Sequence, residues 1–463
     1  MHFTRNLIGW MGLWGTWLLA APSAAAELPR PNVVLILADD HAYRDFGFIG
    51  NPLVHTPHLD QLAAQSARYP RAYVPMSVCR PSLATLLTGL YPHQHGIHFN
   101  HPPPGLAAMR QMTAEAYRQT RSQSDYLIER VPTLPRILAT AGYACLQTGK
   151  HWEGSYRTAG FTHGMTLGLP TARLGQVTGT RAQDNGQWVA HGNGDAGLVI
   201  GRETMLPIEE FIDQHAGQQP FFVWYAPFLP HAPFDAPPRF RQLVDDRQVP
   251  AELVPYYAEI ARFDETVGQL MQMLTDRGLE RQTLVLFISD NGFRPMADNP
   301  ERHNHRSKLS EYEDGLRTPL LIRWPEVVVP GEHAQLVQSV DIVPTILSAV
   351  GLSAQCTDAM QGIDLMPSAQ GRQRLPERPA FGAIYGNDAE VLEQPARHAR
   401  GRWIRHGDYK LVVPGAAADP VPLQLYDLRR DPDEQYNLAG ESQHQARQTE
   451  MTALLDQWWP ATP

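Results

Sequence analysis

Three stretches of this chain are apolar without interruption: Val33-Val34-Leu35-Ile36-Leu37-Ala38, Phe221-Phe222-Val223-Trp224-Tyr225 and Leu284-Val285-Leu286-Phe287-Ile288. A strand with one wet face alternates apolar and polar residues. A run that never alternates suits a strand buried on both faces, as inside a mostly parallel sheet covered by helices. Helical segments lie between the runs. Pro57 to Ala67 is entered through Thr56-Pro57, Leu134 to Ala141 follows Thr133 and stops at Gly142, and Tyr256 to Thr275 is amphipathic. Tyr143 to Gln147 and Leu320 to Trp324 add two strands to this order. The sequence therefore predicts an α/β fold, a doubly wound, mostly parallel sheet flanked by helices.

Residues 1–26 read as a secretory signal: His2 and Arg5, an apolar run from Leu7 to Ala21, then Ala24-Ala25-Ala26, with cleavage before Glu27. The run is shorter than the ~20 residues a spanning helix needs. The expected location is secreted or periplasmic, with no membrane attachment after cleavage. Residues 27–370 form the expected catalytic domain and 371–463 a small C-terminal α+β subdomain. In the latter, Trp403 to Val413 and Leu423 to Leu428 read as two antiparallel strands before a helix near 442–458. The long segments 97–130 and 165–200 read as pocket walls. A net charge of −9 argues against a nucleic-acid partner. An anionic ligand would need cations concentrated in one place.

Two of the buried runs end in oxygen-rich groups, Asp39-Asp40 and Ser289-Asp290-Asn291-Gly292. Ligands bind open α/β sheets at the carboxyl ends of the strands. Three carboxylates and an amide brought together there repel one another unless a hard cation sits among them, Ca²⁺ or less readily Mg²⁺. Cys79 stands where a helix begins, in Ser77-Val78-Cys79-Arg80-Pro81-Ser82-Leu83, which runs on to Leu87-Thr88-Gly89. The helix N-terminus favours an anion and predicts a lowered thiol pKa. The three cysteines leave one over, and Cys145 and Cys356 either pair or stay reduced.

With these residues the sequence resembles the type I, formylglycine-dependent sulfatases of the alkaline phosphatase superfamily, whose signature is Cys-x-Pro-Ser-Arg followed by Leu-Thr-Gly. The likeness extends through Tyr91-Pro92-His93-Gln94-His95-Gly96, Thr148-Gly149-Lys150, Pro230-His231-Ala232-Pro233, Val340-Asp341-Ile342-Val343-Pro344-Thr345 and Leu425-Tyr426-Asp427-Leu428. The resemblance implies an alkaline phosphatase-like fold and hydrolysis of a sulfate ester. It implies that a separate maturation enzyme oxidises Cys79 to formylglycine, whose hydrate is the nucleophile. Asp39, Asp40, Asp290 and Asn291, with the modified Cys79, would hold Ca²⁺, and Lys150, His231 and Lys308 would complete the catalytic set. Long pocket loops and the tryptophans Trp152, Trp188, Trp224 and Trp403 suggest a sulfated carbohydrate as substrate.

Two positions depart from the family pattern. Leu83 stands where the signature has arginine, and Arg80, one residue after Cys79, projects elsewhere. In Lys150-His151-Trp152-Glu153-Gly154 the histidine is displaced by one, so His151 and Trp152, with His95, become candidates for substrate binding. His93, His95, His98 and His101 read as a turn and pocket wall rather than a zinc site, since no cysteine or carboxylate completes the set. Two other readings stand beside the sulfatase: a phosphate or phosphonate ester hydrolase on the same site, and a catalytically silent relative that binds sulfated glycans.

Overall fold

The first apolar run becomes β1 (Asn32–Ala38), in which all seven residues are buried. The computed structural model describes residues 30–168, 199–245 and 247–460, together with 1–2, 180–182 and 188–190. The expected signal segment beyond residue 2 and most of the 165–200 loop lie outside the described residues. The other strands are β2 (Ala67–Tyr73), β3 (Ala144–Gly149), β4 (His163–Gly164), β5 (Thr180–Ala182), β6 (Trp188–Ala190), β7 (Phe221–Ala226), β8 (Thr283–Ser289), β9 (Arg317–Arg323), β10 (Gly331–Glu332), β11 (Val337–Gln338), β12 (Ala380–Tyr385), β13 (Ala399–His406), β14 (Tyr409–Pro414) and β15 (Gln424–Asp427).

The main sheet runs β10-β2-β9-β8-β1-β7-β3-β4, with β11 also on β2. β1 pairs in parallel with both β7 and β8, and β3 with β7. β9 alone runs against its neighbours β8 and β2. Side chains alternate across β1, and both faces are dry. Val33, Leu35 and Leu37 pack with Trp224, Leu286 and the helix Cys79–Thr88 on one side. Val34, Ile36 and Ala38 pack with Tyr225, Phe287 and the helix Val254–Asp276 on the other. This is the doubly wound sheet that uninterrupted apolar runs require.

The structure redraws several elements. β2, Ala-Arg-Tyr-Pro-Arg-Ala-Tyr, has no apolar run to mark it as a strand, yet it pairs with β9 across a register shift between Tyr69 and Ala72. The single strand expected over 403–413 is a hairpin, β13 and β14, turning at Gly407, whose φ is +59°. It lies in a separate antiparallel sheet of order β12-β13-β14-β15, against which the terminal helix Gln445–Trp458 packs. Segment 97–130 carries the short helices Leu106–Met109, Ala114–Ser122 and Tyr126–Glu129. All three cysteines are free, so Cys145 and Cys356 do not pair. Among the described residues no helix is long and apolar enough to cross a membrane.

Candidate active site

The carboxyl ends of β1 and β8 and the start of the helix Cys79–Thr88 meet at one edge of the sheet. The helix begins at Cys79 itself, where the sequence places its start, with Val78 as its extended N-cap. Neighbouring residues of a strand point to opposite faces. Asp39 and Asp40 escape this because Asp40 turns to a left-handed backbone, φ 66°, and donates its N–H to Asp290 Oδ1 at 3.0 Å. Both carboxylates then approach Cys79 Sγ, Asp39 Oδ1 at 3.7 Å and Asp40 Oδ1 at 4.0 Å.

Lysines close the cluster. Lys150 Nζ donates to both oxygens of Asp39, at 2.7 and 2.6 Å, and Lys308 Nζ to Asp40 Oδ2 at 2.7 Å. Asn291 Nδ2 donates to Asp40 Oδ1 at 2.6 Å, and His231 Nε2 lies 3.4 Å from Asp40 Oδ2. Each lysine arrives from a loop anchored to a neighbour. Lys150 N–H donates to Ala226 O at 2.6 Å, and Leu309 N–H to Ser77 O at 2.8 Å.

The electrostatics follow from burial. Desolvation lifts the carboxyl of Asp39 above the usual range against the pull of Lys150, and lifts that of Asp290 well above it. Burial opposes the charge on Lys150 and Lys308, but Asp39 and Asp40 beside them prevail and raise both. Burial, with Lys308 and Lys150 nearby, holds His231 well below the ordinary histidine value. Its Nδ1 contacts Ala232 O at 2.6 Å. A carbonyl oxygen only accepts, so Nδ1 carries a proton. The lowered thiol pKa expected for Cys79 is overturned, because burial outweighs both lysines and pushes the thiol up.

Two buried oxygens, Asp290 Oδ2 and Asn291 Oδ1, have no hydrogen-bond partner. An orphaned buried acceptor is costly. Here the two belong to a cluster of three carboxylates and an amide, and Asp39, Cys79 and Asp290 each offer a ligand atom within 4.8 Å of the others, as do Asp39, Asp40 and His231. A donor set dominated by hard oxygens fits a divalent cation such as Ca²⁺ or Mg²⁺.

The structure thus brings together Asp39, Asp40, Cys79, Lys150, His231, Asp290, Asn291 and Lys308. It does not bring the other candidates to the cluster's surface. His95 is tied behind the helix, Nε2 to Thr85 Oγ1 at 3.2 Å and Nδ1 to the Ile97 N–H at 3.1 Å. His151 turns its Nε2 to Ser155 O at 3.2 Å. Trp152 is 1% exposed, with Lys150 Nζ 5.7 Å and the Arg121 guanidinium 4.9 Å from its ring centre, so it backs Lys150 instead of offering an open face. Trp224 and Trp403 are also fully buried. Arg80 does project elsewhere, into a two-bonded pair with Glu153 at 2.7 Å each.

Sequence reasoning missed Phe228 and Arg202. The Phe228 ring stacks on His231, with 4.4 Å between centres, and Lys150 Nζ lies 5.2 Å from it. Phe228 stands only three residues before His231, a signal within reach. Arg202, in a polar turn, offered none.

Residues 31–352 match the family described as Sulfatase, and 302–459 the one described as N-sulphoglucosamine sulphohydrolase, C-terminal. The chain is 30% identical to human arylsulfatase A over 93% of its own length and 87% of that protein's. It is 29% identical to mouse N-acetylgalactosamine-6-sulfatase, covering 90% and 84%. A solved structure in complex with its substrate D-glucosamine-2-N,6-O-disulfate superimposes with a TM-score of 0.68 at 20% identity, covering 93% and 97%. With the cluster where two strands and a helix meet, these likenesses place the chain in the sulfatase family, sulfuric ester hydrolases of the alkaline phosphatase superfamily.

Proposed function

We propose that this chain is an exported sulfatase that removes sulfate from a sulfated carbohydrate, with Cys79 matured to formylglycine by a separate enzyme and Ca²⁺ held by Asp39, Asp40, Asp290 and Asn291. The observation that carries the reading is the pair of orphaned oxygens, Asp290 Oδ2 and Asn291 Oδ1, buried beside carboxylates that converge on Cys79. The sulfated sugar in the solved relative and the N-acetylgalactosamine-6-sulfatases among the curated ones support the substrate class. The signal-like residues 1–26 support export.

Asp39, Asp40, Asp290 and Asn291 would hold the cation, which would supply charge neutralisation for sulfate oxygens, and Cys79 once matured would supply the nucleophile that a buried thiol does not. Lys150 and Lys308 bring two fixed positive charges to the place where negative charge develops, in a site from which water is largely excluded. His231 is placed to accept a proton at Nε2 while its Nδ1–H stays on Ala232 O. A lysine ammonium, or His231 once it holds that proton, can deliver a proton to the leaving oxygen.

Four measurements test this. Cys79→Ala abolishes sulfate release from a 4-nitrophenyl or carbohydrate sulfate, and equal activity in the variant would sink the proposal. The mass of the Cys79 peptide from the native host matches the aldehyde, not the thiol. Free Ca²⁺ at a hundred times its Kd stabilises the chain by about 2.7 kcal/mol in thermal unfolding, and Asp290→Asn removes that shift. A substrate panel with matched leaving groups gives the sulfate ester a higher kcat/KM than the phosphate or phosphonate ester.

A further inference from the structure

Arg202 is 7% exposed and reaches the segment that carries His231. Its Nε donates to Phe228 O at 2.9 Å, Nη2 to His231 O at 2.6 Å, and Nη1 to Pro233 O at 3.3 Å and Asp235 Oδ1 at 2.6 Å. Three carbonyls of one loop thus converge on a single buried guanidinium, whose donors are fixed in a planar fork. Carbonyl dipoles converging on one point repel one another, and a cation at their focus reverses the sign. The focus is itself fixed. Arg262 donates to Arg202 O at 2.6 Å and to Asp235 at 2.9 Å, with the fully buried Glu259 3.9 Å from Arg202. The same loop gives Leu229 O to the N–H of Asp39 at 2.9 Å.

We infer that Arg202 is a positioning residue for sulfate-ester hydrolysis: by holding the 228–233 carbonyls it fixes the His231 ring, and with it the direction of Nε2, against Asp40. This rests on the role proposed above for His231. Lysine cannot replace it, since one ammonium cannot reach three carbonyls and a carboxylate in the same plane.

The test is a double-mutant cycle on kcat/KM for a 4-nitrophenyl sulfate, using the matured enzyme. Arg202→Gln lowers kcat/KM by about 10- to 100-fold, the usual loss when the outer support of a site is removed. Arg202→Lys does not restore it. In the His231→Ala background Arg202→Gln adds less than about twofold, because the residue it positions is gone. Asp235→Asn, at a half-exposed position, loosens the guanidinium without cutting any carbonyl contact, and serves if Arg202→Gln does not fold. Its smaller loss likewise vanishes without His231. Equal losses in both backgrounds mark a general structural role and overturn the inference, as does full activity of Arg202→Gln beside an impaired His231→Ala. Unchanged turnover in His231→Ala overturns the role of His231 itself and this inference with it.

Discussion

Leu83 shows how far one residue can be followed. It occupies the place of the signature arginine, is 4% exposed, and belongs to the apolar cluster that includes Trp152, Phe99 and Leu127. The arginine of this segment is instead Arg80, fully buried, donating to Glu153 at 2.7 Å through Nε and Nη2 and to Ser124 Oγ at 3.0 Å. The pair links the helix Cys79–Thr88 to the loop that delivers Lys150, three residues before Glu153. Removing one partner of a buried ion pair strands the other charge. Glu153→Ala therefore costs about 3–5 kcal/mol in denaturant unfolding, and Glu153→Gln less, since the amide still accepts a hydrogen bond. The departure at Leu83 was legible in the sequence. The partner of Arg80 was not, because nothing along the chain marks Glu153 as its neighbour.

At the scale of elements, the end of β3 decides where Lys150 stands. Gly149 has φ +72°, and a Cβ there would lie 1.8 Å from Ala226 O. The close approach lets Lys150 N–H bond Ala226 O as β3 leaves β7. Gly149→Ala incurs about 1–2 kcal/mol for the left-handed backbone and more for the clash. It should lower the melting temperature and the kcat for a sulfate ester together, and a variant with full stability and activity would contradict this account. β1, β7 and β8 were legible because burial on both faces writes itself into composition. β2 was not, since Arg68, Pro70 and Arg71 hide a strand whose pairing is supplied by β9 and β10.

At the scale of the whole molecule, the main sheet and the four-stranded sheet are joined at a buried ionic cluster. Lys410 of β14, fully buried, donates to Glu311 O at 2.9 Å and Glu313 Oε1 at 3.3 Å, and pairs with Glu434. Tyr73 and Arg405 bond the other oxygen of Glu313, at 2.7 and 3.1 Å. The cluster closes over the segment following Lys308, so the second sheet braces the first one's active-site edge. Burial raises both acids. Lys410, Arg405 and Arg317 outweigh it at Glu313, which is held down to about 2, whereas Glu434, opposite Lys410 alone, is pushed up to about 7.

Glu313 therefore contributes stability that is full above its ordinary value of 4.5 and is lost as pH falls toward 2. Glu434 acts with the opposite sign, its contribution fading as pH rises from 4.5 toward 7. In melting temperatures across pH 3–8, Glu313→Gln flattens the acid limb and Glu434→Gln the upper one. Unaltered limbs would refute the assignment.

The sequence by itself determined the dry sheet, the acidic strand ends, Cys79 at a helix start and the family, because each is written in contiguous residues. Only the tertiary structure decided that Asp39 and Asp40 face the same sulfur, that Trp152 is enclosed, and that Arg80, Arg202 and Lys410 find their partners. These depend on one backbone reversal and on contacts between segments far apart in the chain. Their energies come from burial, which no local pattern of residues encodes.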